Sequence, residues 1–142
     1  MNELRKRAIA LLARREHTRS ELARKLAAHG TPEEIETVLS ELAQTGLQSD
    51  ARFAESWLRS NASRHGAAHL RQTLRAKGIS AELVDTQVID LADEQERARS
   101  VWQKKFSAPP IDARDWAKQA RFLQGRGFSV EIIRKLLKEI EA

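Results

Sequence analysis

Cysteine and tyrosine are both absent from this chain of 142 residues. Without a thiol there can be no disulfide framework, no thiolate-bound zinc and no cysteine nucleophile. Proline is scarce at three residues, and two of them fall in Ser107-Ala-Pro-Pro, the one stretch that reads as a true linker. Aromatic side chains make up only 5 %. No apolar run is long enough to cross a bilayer. The N-terminal stretch MNELRKRAIALLARREH lacks the continuous apolar region and small-residue cleavage site of a signal peptide, because Arg14, Arg15 and Glu16 interrupt it with helical spacing. Together these absences place the expected location in the cytoplasm, away from any membrane.

Recognisable enzyme sites are missing as well. The four histidines are His17, His29, His65 and His69; only the last pair has i, i+4 spacing, and no glutamate stands beside the first of them as a zinc-protease helix requires. There is no glycine-rich loop ending in lysine to cradle phosphate, and no nucleophile elbow. The carboxylate pairs Glu33/Glu34 and Asp93/Glu94 fall at helix starts, where the helix dipole accounts for them. The expectation is a protein that is not an enzyme and needs no metal or other cofactor.

What the chain does have is charge. Charged residues form 32 % and hydrophobic ones 41 %, a globular balance, with a net charge of +5 and a pI near 10.0. That excess suits an anionic partner, nucleic acid being the commonest. Apolar residues recur at i, i+3, i+4 and i+7 almost throughout, which predicts an all-α protein. The helices are expected at roughly 2–16, 18–29, 32–45, 50–64, 67–77, 80–94, 93–106, 112–126 and 129–141, and the sixth and seventh overlap as one continuous helix would. Thr18-Arg-Ser-Glu21 and Thr31-Pro-Glu-Glu34 have the capping-box pattern, with Pro32 at the tolerated first helical position. Ser80 and Ser129 are the expected caps of two more helices, and Ser49 or Asp50 of another; Gly30, Gly46, Gly66, Gly78 and Gly127 mark boundaries.

These caps expose a repeat. Thr31, Ser80 and Ser129 are evenly spaced, and aligning them superimposes Ile35 on Val84 and Ile133, Leu39 on Val88 and Leu137, and Leu42 on Leu91 and Ile140. Each set lies on one stripe of a helix that must be buried. The preceding helices supply Leu22 and Leu26, Leu70 and Leu74, then Ala120 and Leu123. The reading is three tandem three-helix, helix-turn-helix-like modules, at 1–47, 48–95 and 96–142, in an elongated, curved array. Charge follows the same frame: residues 1–30, 51–79 and 97–128 are basic, while 31–50 and 80–96 carry acidic side chains and no basic one. The aromatic pairs Phe53/Trp57 and Trp102/Phe106 fit core packing better than base stacking.

Within the middle module, residues 51–79 hold six basic residues against one acidic. Arg52 and Arg59 share a face away from Phe53/Trp57, Arg71 and Arg75 share a face away from Leu70/Leu74, and Arg64 and Lys77 flank the same hairpin. Five of the six are arginine, whose fork matches phosphate or carboxylate. Sequence-specific reading of a major groove by the third helix is disfavoured, because ETVLSEL and VDTQVIDLADE would be repelled by phosphates.

Four stretches in this order resemble the RecX family of bacterial regulatory proteins: LLARREHTRSELARKL (11–26), TGLQSDARFAESWLRS (45–60), GAAHLRQTLRAKGIS (66–80) and RFLQGRGFSVEIIRKLL (121–137). The family's usual Tyr-Gly-Pro is here His65-Gly66-Ala67, and its Asp-Asp is Ser49-Asp50. The resemblance implies a monomeric, cytoplasmic negative regulator of the RecA recombinase. Such a protein binds the RecA–single-stranded DNA filament in its groove and inhibits recombinase, ATPase and co-protease activities. It thereby modulates homologous recombination, DNA repair and the SOS response. The resemblance also implies binding to single- and double-stranded DNA with weak sequence preference. Carried onto matching positions, the RecA- or DNA-binding residues are Arg52, Arg59, Arg64, Arg71, Arg75 and Lys77, with Arg121 and Arg126 in the third module. The alternatives are a stand-alone nonspecific DNA-binding protein acting through phosphate contacts, and a helical-repeat scaffold for another acidic partner.

Overall fold

The computed structural model describes residues 2–89, 91 and 93–141. Among them are nine α-helices, one short 3-10 turn at Ala62–Arg64 and no strand. The helices are α1 (Asn2–Arg14), α2 (Arg19–Leu26), α3 (Pro32–Gln44), α4 (Asp50–Asn61), α5 (Ala67–Ala76), α6 (Ala81–Ile89), α7 (Glu94–Lys105), α8 (Ala113–Gly125) and α9 (Val130–Glu141).

Local chemistry sets their starts. Thr18 Oγ1 accepts from the Glu21 amide at 3.0 Å while Glu21 Oε1 accepts from the Thr18 amide at 2.9 Å; Thr31 and Glu34 repeat the exchange. Ser80 and Ser129 accept from the amides of Leu83 and Ile132. Ser49, not Asp50, caps α4, accepting from the Arg52 amide at 3.1 Å. Asp50 turns elsewhere, its carboxylate accepting from the Arg19 amide and from Gln48 Nε2, both at 2.9 Å. Gly46, Gly78 and Gly127 take positive φ, at 79°, 92° and 91°.

The sixth and seventh helices do not merge. α6 stops at Ile89, and Asp93 starts α7 afresh by accepting from the Gln95 amide at 2.9 Å. Periodicity continues through this region, but an aspartate side chain competing for a backbone amide ends a helix locally.

The chain divides into two compact units, Met1–Ser56 with Leu74–Val84 and Trp57–Thr73 with Asp85–Ala142. In the first, α1, α2 and α3 close around Leu4, Ala8, Leu22, Leu26, Ile35, Val38, Leu39 and Leu42. Thr18 Oγ1 also donates to the Lys77 carbonyl at 2.8 Å, tying the start of α2 to the end of α5. In the second, α7, α8 and α9 close around Ala98, Val101, Trp102, Leu123, Phe128, Ile133, Leu136 and Leu137. Within that core Trp102 Nε1 donates to Gln119 Oε1 at 2.7 Å, so the buried indole is satisfied. The helices of the middle group are shared out: α4, α5 and α6 each contribute residues to both units, and bury Phe53, Leu58, Leu70, Leu74, Val84 and Val88.

Gly66 and Gly127 meet inside the second unit. The Gly66 amide donates to the Arg126 carbonyl at 2.7 Å, and a Cβ on Gly66 would lie 2.4 Å from the Gly127 carbonyl oxygen. Two backbones can approach this closely only where neither carries a side chain.

Candidate anion-binding surface

The eight basic residues expected to face an anion occupy unlike environments. In the first unit Arg52 is held as a clamp. Its guanidinium takes both oxygens of Glu16, and Nη1 and Nη2 donate to the carbonyls of Gly46 and Leu47 at 2.9 and 3.1 Å. The Glu16 carboxylate raises its pKa further, by hydrogen bond and by charge. Arg75, exposed near the end of α5, makes one long hydrogen bond from Nη1 to the Ile79 carbonyl at 3.4 Å. Lys77 is half-buried, with Nζ 5.8 Å from the centre of the Phe53 ring.

In the second unit Arg59 and Arg121 are exposed and have no partner among the described residues. Arg64 Nη2 donates to the Ser60 carbonyl and to Asn61 Oδ1, so its charge has no acidic partner there. Arg71 Nε forms an ion pair with Asp85 at 3.3 Å. Arg126 packs 5.0 Å from the Phe122 ring centre and donates from Nη1 to the Arg64 carbonyl at 3.4 Å, which brings these two arginines together. Around them His65 and His69 stack, ring centres 4.0 Å apart and planes 12° from parallel. His65 Nδ1 donates to the Asn61 carbonyl; burial lowers its pKa, and the charges of Arg126 and Arg64 act in the same direction.

The sequence reading missed why opposite charges alternate along the chain. Arg19 on α2 pairs with Glu36 on α3, Arg71 on α5 with Asp85 on α6, and Arg99 on α7 with Glu139 on α9. Each of the three groups thus spends one arginine on the acidic side of its own last helix. All three pairs are solvent-exposed, so each is worth about 0–1 kcal/mol. They orient helices more than they hold them. The signal was available in the alternating charge blocks, but these fit an external partner equally well.

The chemistry open to such a surface is binding. Guanidinium groups with unspent donors can fork onto phosphate or carboxylate. Among the described residues no cluster of three or more His, Cys, Asp or Glu side chains could hold a metal. None of the described helices is long and apolar enough to cross a membrane.

Comparison with known proteins places this arrangement. Three family models match in order: RecX, first three-helix domain, over residues 5–42; RecX, second three-helix domain, over 49–86; and RecX, third three-helix domain, over 92–137. The chain is 47 % identical over 138 residues to the regulatory protein RecX of Leptothrix cholodnii, covering 95 % of this chain and 87 % of that one. Against the regulatory protein RecX of Pseudomonas fluorescens it is 44 % identical, covering 94 % and 89 %. The corresponding protein of Neisseria meningitidis serogroup C is 42 % identical, at 95 % and 89 %. The fold is similar to the crystal structure of RecX from Lactobacillus salivarius, with TM-score 0.85 and 23 % identity over 99 % of this chain and 96 % of that one. A second crystal structure of regulatory protein RecX gives TM-score 0.80 at 25 % identity, over 96 % and 72 %.

Proposed function

Because the chain belongs to the RecX family of regulatory proteins, we propose that it restrains RecA by binding the RecA–single-stranded DNA filament in its groove. Occupying that groove inhibits strand exchange, ATP hydrolysis and co-protease action without any catalytic residue of its own. Modules at 1–47, 48–95 and 96–142 acting in the cytoplasm as a monomer are part of the proposal. Tandem modules on one chain raise affinity by making each further contact intramolecular.

The observation that carries the reading, beside the family, is the set of arginines left with binding capacity. Arg59 and Arg121 have no partner, Arg64 has no acidic one, and Arg75 makes a single long bond, all on exposed side chains among the described residues. Arg71, Lys77 and Arg126 join them as contacts whose present partners are an exposed carboxylate or a ring face. Arg52 contributes as the group that fixes the start of α4.

Adding the protein to RecA filaments on single-stranded DNA is expected to slow ATP hydrolysis at substoichiometric ratios. No effect at excess sinks the proposal. DNA binding that weakens steeply with salt and is indifferent to RecA would instead favour the stand-alone DNA-binding reading.

A further inference from the structure

A groove of about 510 Å³ opens between α1 and α2 in the first unit, apart from the eight basic residues of the proposed surface. Arg7, Arg14 and Lys25 form its cationic wall beside His29, and no acidic residue among the described ones lines it. Arg7 and Arg14 are exposed and have no partner among the described residues, although neighbouring Lys6 and Arg15 pair with Glu3 and Glu21. Being seven apart on one helix, they stand about 10 Å from each other along its axis. Between them lies an apolar floor of Ala10 and Leu11, continued by the edge of Leu26.

Lys25 is aimed from behind. The buried His17 donates from Nδ1 to the Arg15 carbonyl at 3.0 Å, which leaves Nε2 to accept from Lys25 Nζ at 3.2 Å. The ammonium is thereby positioned at the groove.

We infer that this groove binds an acidic peptide segment carrying an aliphatic side chain between carboxylates. Three features select that occupant. The unpartnered cations demand an anion. The concave aliphatic floor gives an apolar side chain something to bury against. No Phe, Tyr or Trp among the described residues lines the groove, so it lacks the large stacking platform that single-stranded nucleic acid uses.

The test uses the full chain with a fluorescein-labelled peptide of alternating glutamate and leucine, the same peptide with serine for leucine, and labelled oligothymidylate, each followed by anisotropy. The leucine peptide is expected to bind saturably in the micromolar range, and the serine peptide about tenfold more weakly. Arg7→Gln with Arg14→Gln should cost about tenfold in affinity for the leucine peptide. Ala10→Glu, which puts a carboxylate on the floor at an exposed helical position, should do the same with unchanged helicity. Lys138→Glu, an equal charge reversal at an exposed position of α9, should leave peptide binding as it is. The inference is overturned if the leucine peptide does not saturate, if the serine peptide binds equally well, or if the groove variants leave affinity unchanged. It is also overturned if they weaken the oligonucleotide alone. Neither RecA nor its filament enters the assay, so failure here is distinct from failure of the proposed function.

Discussion

Arg52 and Arg59 stand seven positions apart on α4, yet one is a clamp and the other is unengaged among the described residues. Arg52→Ala strips Glu16 and two loop carbonyls of their donor, so a loss of about 1 kcal/mol is expected. Arg59→Ala should stay within about 0.5 kcal/mol of the parent. Thermal melting of the two variants checks this; equal losses would show that the Arg52 contacts hold nothing. His17 makes the second prediction at this scale. Burial lowers its pKa below 6.5, with the charges of Arg15 and Lys25 acting the same way against the Arg15 carbonyl and Glu21. Its folded pKa is depressed, so unfolded chains bind more protons as the medium acidifies. The stability from the neutral ring is present above about 6.5 and is lost as pH falls through the folded value; His65 has the same sign. Burial acts to raise the Glu21 pKa, but the Thr18 amide and Arg15 hold it below 4.5, so its contribution is lost only at still lower pH. Melting temperature should therefore drop between pH 7 and 5, and His17→Gln with His65→Gln should flatten the drop.

At the scale of elements, glycines separate two kinds of constraint. Gly46 has positive φ, and a Cβ added there would meet nothing within 4 Å, so Gly46→Ala faces only backbone strain, about 1 kcal/mol. Gly127 has the same φ sign, and its Cβ would lie 2.3 Å from His69 Cβ and 2.7 Å from the His69 amide nitrogen. Gly127→Ala must push one backbone off another and should cost about 3 kcal/mol or more. Chemical denaturation of both variants tests the order; a milder Gly127→Ala would mean the 65–69 segment yields easily. The exposed Arg–acid pairs belong to this scale too. They join a basic helix to the last helix of each group and offset part of the alternating charge within the fold.

For the whole molecule, the question is whether the middle group's arginines act on a partner. Arg71→Glu with Arg75→Glu removes one exposed ion pair and one long hydrogen bond. Circular dichroism and melting should therefore remain near the parent. Inhibition of RecA ATP hydrolysis should fall by about tenfold or more, because two cations become two anions at the proposed surface. Unfolding of this variant would show that the face is structural, and undiminished inhibition would move the contact elsewhere. α4, α5 and α6 give residues to both compact units, whereas α1, α2 and α3 lie within the first and α7, α8 and α9 within the second.

Much of the fold was legible in the sequence because it is written locally. Capping boxes at Thr18 and Thr31, serine caps at Ser80 and Ser129, and the stripe Ile35–Leu39–Leu42 each depend on residues within two turns of one another. The family was legible for the same reason, as four ordered stretches that follow the order of the three matched domains. Tertiary structure alone decided the rest. It showed α6 and α7 separated at Asp93, Asp50 spent on α2 instead of on its own helix, and Gly66 set against Gly127. It also divided the arginines: Arg52 and Arg71 meet carboxylates 36 and 14 positions away, while Arg59 and Arg121 meet none among the described residues. Periodicity says which face a side chain occupies, but only the folded chain brings up the distant carboxylate that engages its charge.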